Sequence, residues 1–158
     1  MEYATCINES AYRGSLTYGQ QYSVLAYDPD PQRPKIKIQA DNGRVRWFPL
    51  ICFDLRGAEV PRLHEVHIHD TIDEPLSSAI EVEVVLSNKE HRRCFFATPD
   101  ALTKFGDFVH GTTIRVHCGM SDMIVVSTIS EAIIEQTLHD IERQGRLFAC
   151  TRPADTEE

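Results

Sequence analysis

Short alternating runs separated by turn residues fill the first third of the chain. In KIKIQA (35–40), Ile36 and Ile38 fall on one side and Lys35, Lys37 and Gln39 on the other, the period of a half-buried strand. QQYSVLAYD (20–28) alternates as well, with Tyr22, Val24 and Ala26 on one face. DPDPQRP (28–34) carries three prolines and reads as a loop. Asn42-Gly43 follows KIKIQA and predicts a two-residue type I′ hairpin turn, because both residues tolerate positive φ. RVRWF (44–48) then alternates again. With that turn, Val45 and Trp47 point inward, and Arg44 and Arg46 point outward beside Lys35 and Lys37. Pro49 ends the strand or holds it at a sheet edge. Short strands, frequent turns and no helical period predict a small antiparallel barrel.

RGAEVPR (56–62) reads as a linker, and the pattern changes after it. HEVHIHD sets Val66 and Ile68 against His67 and His69. AIEVEVVL sets Ile80, Val82, Val84 and Leu86 against Glu81 and Glu83. SNKEHRR is a polar turn, and CFFAT is a third strand. Thr98 is placed to cap a helix with Pro99 at its first position, Asp100 in its first turn and Gly111 at its end, burying Leu102, Phe105 and Phe108. TTIRVHC and MIVVSTI are two more strands around GMSD. Ser130 caps a second helix, EAIIEQTLHDIERQG, in which Ile133, Ile134, Thr137, Leu138 and Ile141 form one apolar stripe. Gly145 terminates it. RLFAC reads as a short returning strand, and the acidic tail ADTEE as frayed. The predicted class is α+β. A barrel over residues 1–57 is followed by an antiparallel sheet covered by two helices, in the order β-β-β-α-β-β-α, over residues 58–158.

The first third also resembles a known family. ATCINESAYRGSLTYGQQYSVLAYD and IQADNGRVRWFPLICFD are similar to the small SH3-like barrel of uncharacterised bacterial and phage proteins. The matching residues are Leu16, Thr17, Gly19, Tyr22, Val24, Leu25, Asn42, Gly43, Trp47, Phe48, Pro49 and Phe53, within roughly residues 3–55. Gln20 stands where the family usually has lysine. These are packing and turn positions, so the resemblance implies a fold and brings no catalytic residues with it.

Charge separates the two parts. Residues 1–61 hold 7 Lys+Arg and 7 Asp+Glu. Residues 62–158 hold 9 and 17, so the whole net charge, 9 − 17 = −8, lies in the second part. The candidate acidic surface is Glu81, Glu83, Glu131, Glu135, Asp140 and Glu142. It suits a basic protein partner, by complementarity that speeds association, and it also serves simply as a solvated face. Small acidic α+β proteins without catalytic motifs resemble, as a class, the immunity or antitoxin inhibitors that neutralise basic, nuclease-like toxins in bacteria. That non-catalytic reading is the one favoured here. The alternative is a regulatory adaptor whose barrel contacts nucleic acid through Lys35, Lys37, Arg44 and Arg46.

Other chemistry is weaker in the pattern. His64, His67 and His69 lie within six residues, and His67 and His69 share a strand face. With His117 or Cys118 they would make a zinc site only if their strands were neighbours. His117 and Cys118 are adjacent, so on a strand they point apart and cannot pair as nucleophile and base. Glu81 and Glu83 share a face as alternating wetting residues do. No GxSxG, phosphate-loop, dinucleotide or HExxH pattern is present. No enzyme activity, metal or cofactor is therefore expected. The five cysteines are odd in number and form no CxxC, the usage of reduced thiols in a cytoplasmic protein. The N-terminal MEYATCINES lacks a basic region and an apolar core, and no apolar run approaches membrane-spanning length, so neither a secretion signal nor a membrane partner is expected.

Overall fold

A computed structural model describes residues 1–56, 60–117 and 121–154. The chain forms two compact units. One comprises Met1–Arg62 with Glu142–Gly145, the other Leu63–Ile141 with Arg146–Glu158. The boundary expected at 57/58 falls on residues outside the described set, and the units separate after Arg62. Among the described residues the fold is mixed α+β, with thirteen strands and three α-helices. No helix among them is long and apolar enough to cross a membrane.

The first unit contains β1 (Tyr3–Cys6), β2 (Gln21–Ser23), β3 (Ala26–Asp28), β4 (Lys35–Gln39), β5 (Val45–Pro49), a 3-10 turn (Leu50–Cys52) and β6 (Phe53–Asp54). They make two antiparallel sheets of three strands, β2-β1-β6 and β3-β4-β5, with no closed barrel among the described residues. The single strand expected over 20–28 is broken at Val24-Leu25, which sends Tyr22 and Ala26 to different sheets. The core contains Leu16, Tyr22, Ile36, Ile38, Phe48 and Phe53. Its rings meet edge to face, Tyr12 against Phe48 at 5.2 Å and Tyr22 against Phe53 at 6.2 Å between centroids, a favoured aromatic geometry.

The β4–β5 hairpin corrects the expected turn. Gly43 alone takes positive φ (78°), Gly43 N donates to Ala40 O, and Ala40 N donates to Arg44 O. The loop is therefore three residues, Asp41-Asn42-Gly43, with glycine in the left-handed position. The extra residue shifts the register. Ile36 pairs with Phe48, Lys37 with Trp47 and Ile38 with Arg46.

The second unit contains β7 (Leu63–Ile68), β8 (Ala79–Leu86), β9 (His91–Ala97), α1 (Pro99–Leu102), β10 (Asp107–Phe108), β11 (Arg115–Val116), β12 (Met123–Val125), α2 (Glu131–Arg143, whose last two residues group with the first unit), α3 (Leu147–Cys150) and β13 (Arg152–Pro153). The main sheet runs β12-β9-β8-β7, and β13 also pairs with β9. β7, β8, β9 and β13 are antiparallel to their neighbours, but β12 lies parallel to β9. α2 lays Ile134 and Leu138 on Val82, Val84 and Phe96, all fully buried. Ser130 Oγ accepts from Ile133 N at 3.2 Å, the expected cap.

Three expected elements differ. Thr98 does cap α1, accepting from Ala101 N, but the helix is a single turn. Gly106, at φ 95°, turns the chain into the β10–β11 ribbon, so Phe105 and Phe108 are exposed rather than buried. TTIRVHC contributes to that ribbon and not to the main sheet. RLFAC forms the turn α3, with Leu147 in the core, and the returning strand is β13.

Candidate functional site

Sheet β3-β4-β5 has one face on the core and one in solvent. Paired residues of antiparallel strands point to the same side. Ile36, Ile38 and Phe48 therefore share the buried face, and Lys35, Lys37, Val45, Trp47 and Pro49 share the outer one. Trp47 is 44 % exposed and Phe48 only 1 %. Lys37 Nζ lies 5.8 Å from the Trp47 ring centroid, near the outer limit of a cation–π contact. Lys35 stands opposite Pro49, and Asp28 opposite Lys35. A pocket of about 550 Å³ opens at the end of this face, lined by Gln32, Arg33, Pro34, Lys35, Pro49 and Ile51.

This arrangement overturns the expected placement of Trp47 and Val45 in the interior. It also divides the four basic residues. Lys35 and Lys37 share the face of Trp47, whereas Arg46 pairs with Ile38 and so belongs to the other side, and Arg44 closes the turn. The physical cause is the one-residue register shift, which exchanges the two faces of a strand. Segment 31–49 holds five basic residues (Arg33, Lys35, Lys37, Arg44, Arg46) and one acidic residue, Asp41, for a net 5 − 1 = +4. Asp41 is occupied elsewhere, accepting from Thr17 Oγ1 and Tyr22 OH at 2.8 Å each. Burial, together with that carboxylate, pushes the Tyr22 phenol well above its ordinary value.

The acidic candidates do not form one surface. Val82 and Val84 are buried under α2, so Glu81 and Glu83 point to the opposite face of the sheet. Glu131 and Glu135 are exposed on α2. Asp140 is half-buried and Glu142 is buried.

Histidines gather on the solvent face of β7-β8-β9. His67 and His69 stack with centroids 6.2 Å apart. Each imidazole faces a carboxylate: His64 Nε2 lies 3.6 Å and His67 Nε2 2.8 Å from Glu65, His69 Nε2 3.6 Å and His91 Nδ1 2.7 Å from Glu83. The hydrogen bond from His91 is the main reason the Glu83 carboxyl sits below its ordinary value. His91 was not anticipated in this cluster. Its signal was the polar turn after β8, which returns the chain beside Glu83. His117 lies elsewhere, its Nε2 donating to Leu102 O at 2.8 Å. Cys118 is outside the described residues, among which no group of three or more His, Cys, Asp or Glu is arranged to hold a metal ion. Burial pushes the Cys6 and Cys94 thiols up to about 12 and raises Cys52, the direction expected for thiols packed in apolar surroundings.

No known protein family, curated protein or solved structure matches the chain.

Proposed function

We propose that the protein is a non-catalytic binding protein whose first unit contacts nucleic acid through the outer face of β3-β4-β5. The observation that carries this reading is Trp47, the chain's single tryptophan, standing exposed next to Lys37 on a sheet whose opposite face is core. An exposed indole beside an ammonium group supplies both components of such recognition, a stacking surface for a base and a cation for a phosphate. The acidic remainder of the chain opposes binding through long-range repulsion, which makes the local cluster decisive and the affinity sensitive to salt. The proposed fold of this unit is SH3-like. Its support is the core use of Leu16, Tyr22, Phe48 and Phe53 and the positive φ of Gly19 and Gly43, all positions named by the resemblance. In a mobility-shift or anisotropy titration, Lys35→Glu with Lys37→Glu is expected to abolish oligonucleotide binding at moderate salt. It should also reduce the slope of log K against log salt by about 1–2. Unchanged affinity in that variant, or no binding by the parent protein at low salt, removes the reading.

A second reading, a bacterial immunity or antitoxin-type inhibitor of a basic toxin, is favoured by the −8 charge of residues 62–158 and by Glu131 and Glu135, exposed one turn apart on α2. Affinity capture from the native host should retain a basic protein that Glu131→Lys with Glu135→Lys releases. Recovery of acidic proteins alone, or of none, removes this reading.

A further inference from the structure

We infer that the β3-β4-β5 face is a two-step ladder for single-stranded nucleic acid, with one base stacked on Trp47 and its neighbour in the adjoining pocket. The inference rests on the nucleic-acid reading above and specifies the form of ligand. Its basis is the pairing register. Lys37 stands beside Trp47, and two residues along the same strands Lys35 stands beside Pro49. Each step offers a cation on β4 and a flat or apolar surface on β5, and both steps face solvent on the same side.

Spacing chooses between a single strand and a duplex. Residues i and i+2 on a strand are about 6–7 Å apart, whereas the bases stacked in a duplex follow one another every ~3.4 Å along its axis. Neighbouring stacked bases of a helix would not meet both steps. A splayed strand, with its bases turned out of the stack, would. Stacking on Trp47 also needs an open base face, which paired bases inside a helix do not present.

The pocket completes the second step. Its volume of about 550 Å³ lies within the range of small-ligand sites. Pro34, Pro49 and Ile51 give it apolar walls, and Ile51 is 81 % exposed. Arg33 and Lys35 stand at the same pocket as cations for the phosphate. The Lys37 ammonium, 5.8 Å from the ring centroid, is held there only weakly. It is therefore available to a phosphate when a base takes the ring. Nothing in the ladder contacts a base edge by necessity, so base identity matters less than the absence of pairing.

The single tryptophan makes the test direct. Wild-type protein is titrated at low salt with ten-nucleotide dT and rU strands, with a blunt hairpin duplex, and with a proline-rich peptide, following Trp47 emission and ligand anisotropy. The expected result is quenching by both single strands and at least about tenfold weaker binding of the duplex. Trp47→Ala should weaken the single strands about tenfold or more by anisotropy, and Ile51→Asp should weaken them several-fold while the circular dichroism spectrum is retained. Equal affinity for duplex and single strand, or single-strand binding that leaves Trp47 emission unchanged, overturns the ladder while leaving the nucleic-acid reading in place. Binding of the peptide alone, or of no ligand, overturns both.

Discussion

Phe48→Ala is expected to destabilise the first unit by about 3–5 kcal/mol, the range for removing a buried aromatic ring from a packed core, whereas Trp47→Ala should change its stability by no more than about 1 kcal/mol. The two residues are adjacent and both aromatic, so composition does not separate them. Burial does. Phe48 is 1 % exposed and meets the rings of Tyr12 and Phe53 at 5.2 and 6.4 Å, whereas Trp47 is 44 % exposed. A unit of some sixty residues has little stability in reserve, so the Phe48 variant should be largely unfolded. Urea unfolding checks this, followed through Trp47 emission for Phe48→Ala and through far-ultraviolet circular dichroism for Trp47→Ala. A larger loss for Trp47→Ala than for Phe48→Ala would place the indole in the core and remove the surface on which the proposed function depends.

The same pair shows where sequence reading succeeds and where it stops. Period-2 alternation marks β4 and β5 as strands and marks Ile36 and Ile38 as inward. It does not fix which of Trp47 and Phe48 joins them, because RVRWFP accepts either phase. The phase comes from loop length. A two-residue turn at Asn42-Gly43 would set Ile38 opposite Trp47, and the three-residue loop sets Ile36 opposite Phe48. One residue in a turn thus decides whether an indole is core or ligand surface. The four-cation stripe failed for that reason and no other. Strand direction was equally invisible, since MIVV alternates alike whether it lies parallel or antiparallel to β9. The helix expected from 99 to 110 rested on the spacing of Leu102, Phe105 and Phe108, and Gly106 within KFGDF was the overlooked stop. α2 was legible in full because cap, stripe and terminator all agreed, from Ser130 through Ile134 and Leu138 to Gly145.

Arg92→Leu is expected to cost the second unit about 2–4 kcal/mol, although an apolar residue ordinarily suits the inner face of a strand. Arg92 occupies the same face of β9 as Cys94 and Phe96, both fully buried, and is itself 7 % exposed. Its guanidinium is nonetheless satisfied. Nε donates to Thr151 Oγ1 at 2.7 Å, Nη2 donates to the carbonyls of Thr151 at 2.9 Å and Phe148 at 3.3 Å, and Nη1 bonds Glu90 Oε1 at 2.7 Å. The plane also packs on the Phe148 ring, 4.6 Å from its centroid. The Glu90 side chain is 36 % exposed, so solvent takes over its charge when the arginine is removed, and that pair contributes little. The Thr151 carbonyl belongs to a residue 4 % exposed, and leaving a buried acceptor unpaired costs about 1–3 kcal/mol. Arg92 therefore acts as a tie that fastens α3 and β13 to the centre of the sheet rather than as a surface charge. Arg92→Lys should recover only part of the loss, since one ammonium does not reproduce a fork that bonds four acceptors on three residues. Chemical denaturation gives the magnitude, and amide hydrogen exchange gives the location. Protection should fall first at residues 147–153 in both variants, further in Arg92→Leu. Uniform loss across the sheet would show that Arg92 serves the core as a whole, and a loss under about 0.5 kcal/mol would show that α3 and β13 are held by Leu147 and the β9–β13 pairing without it.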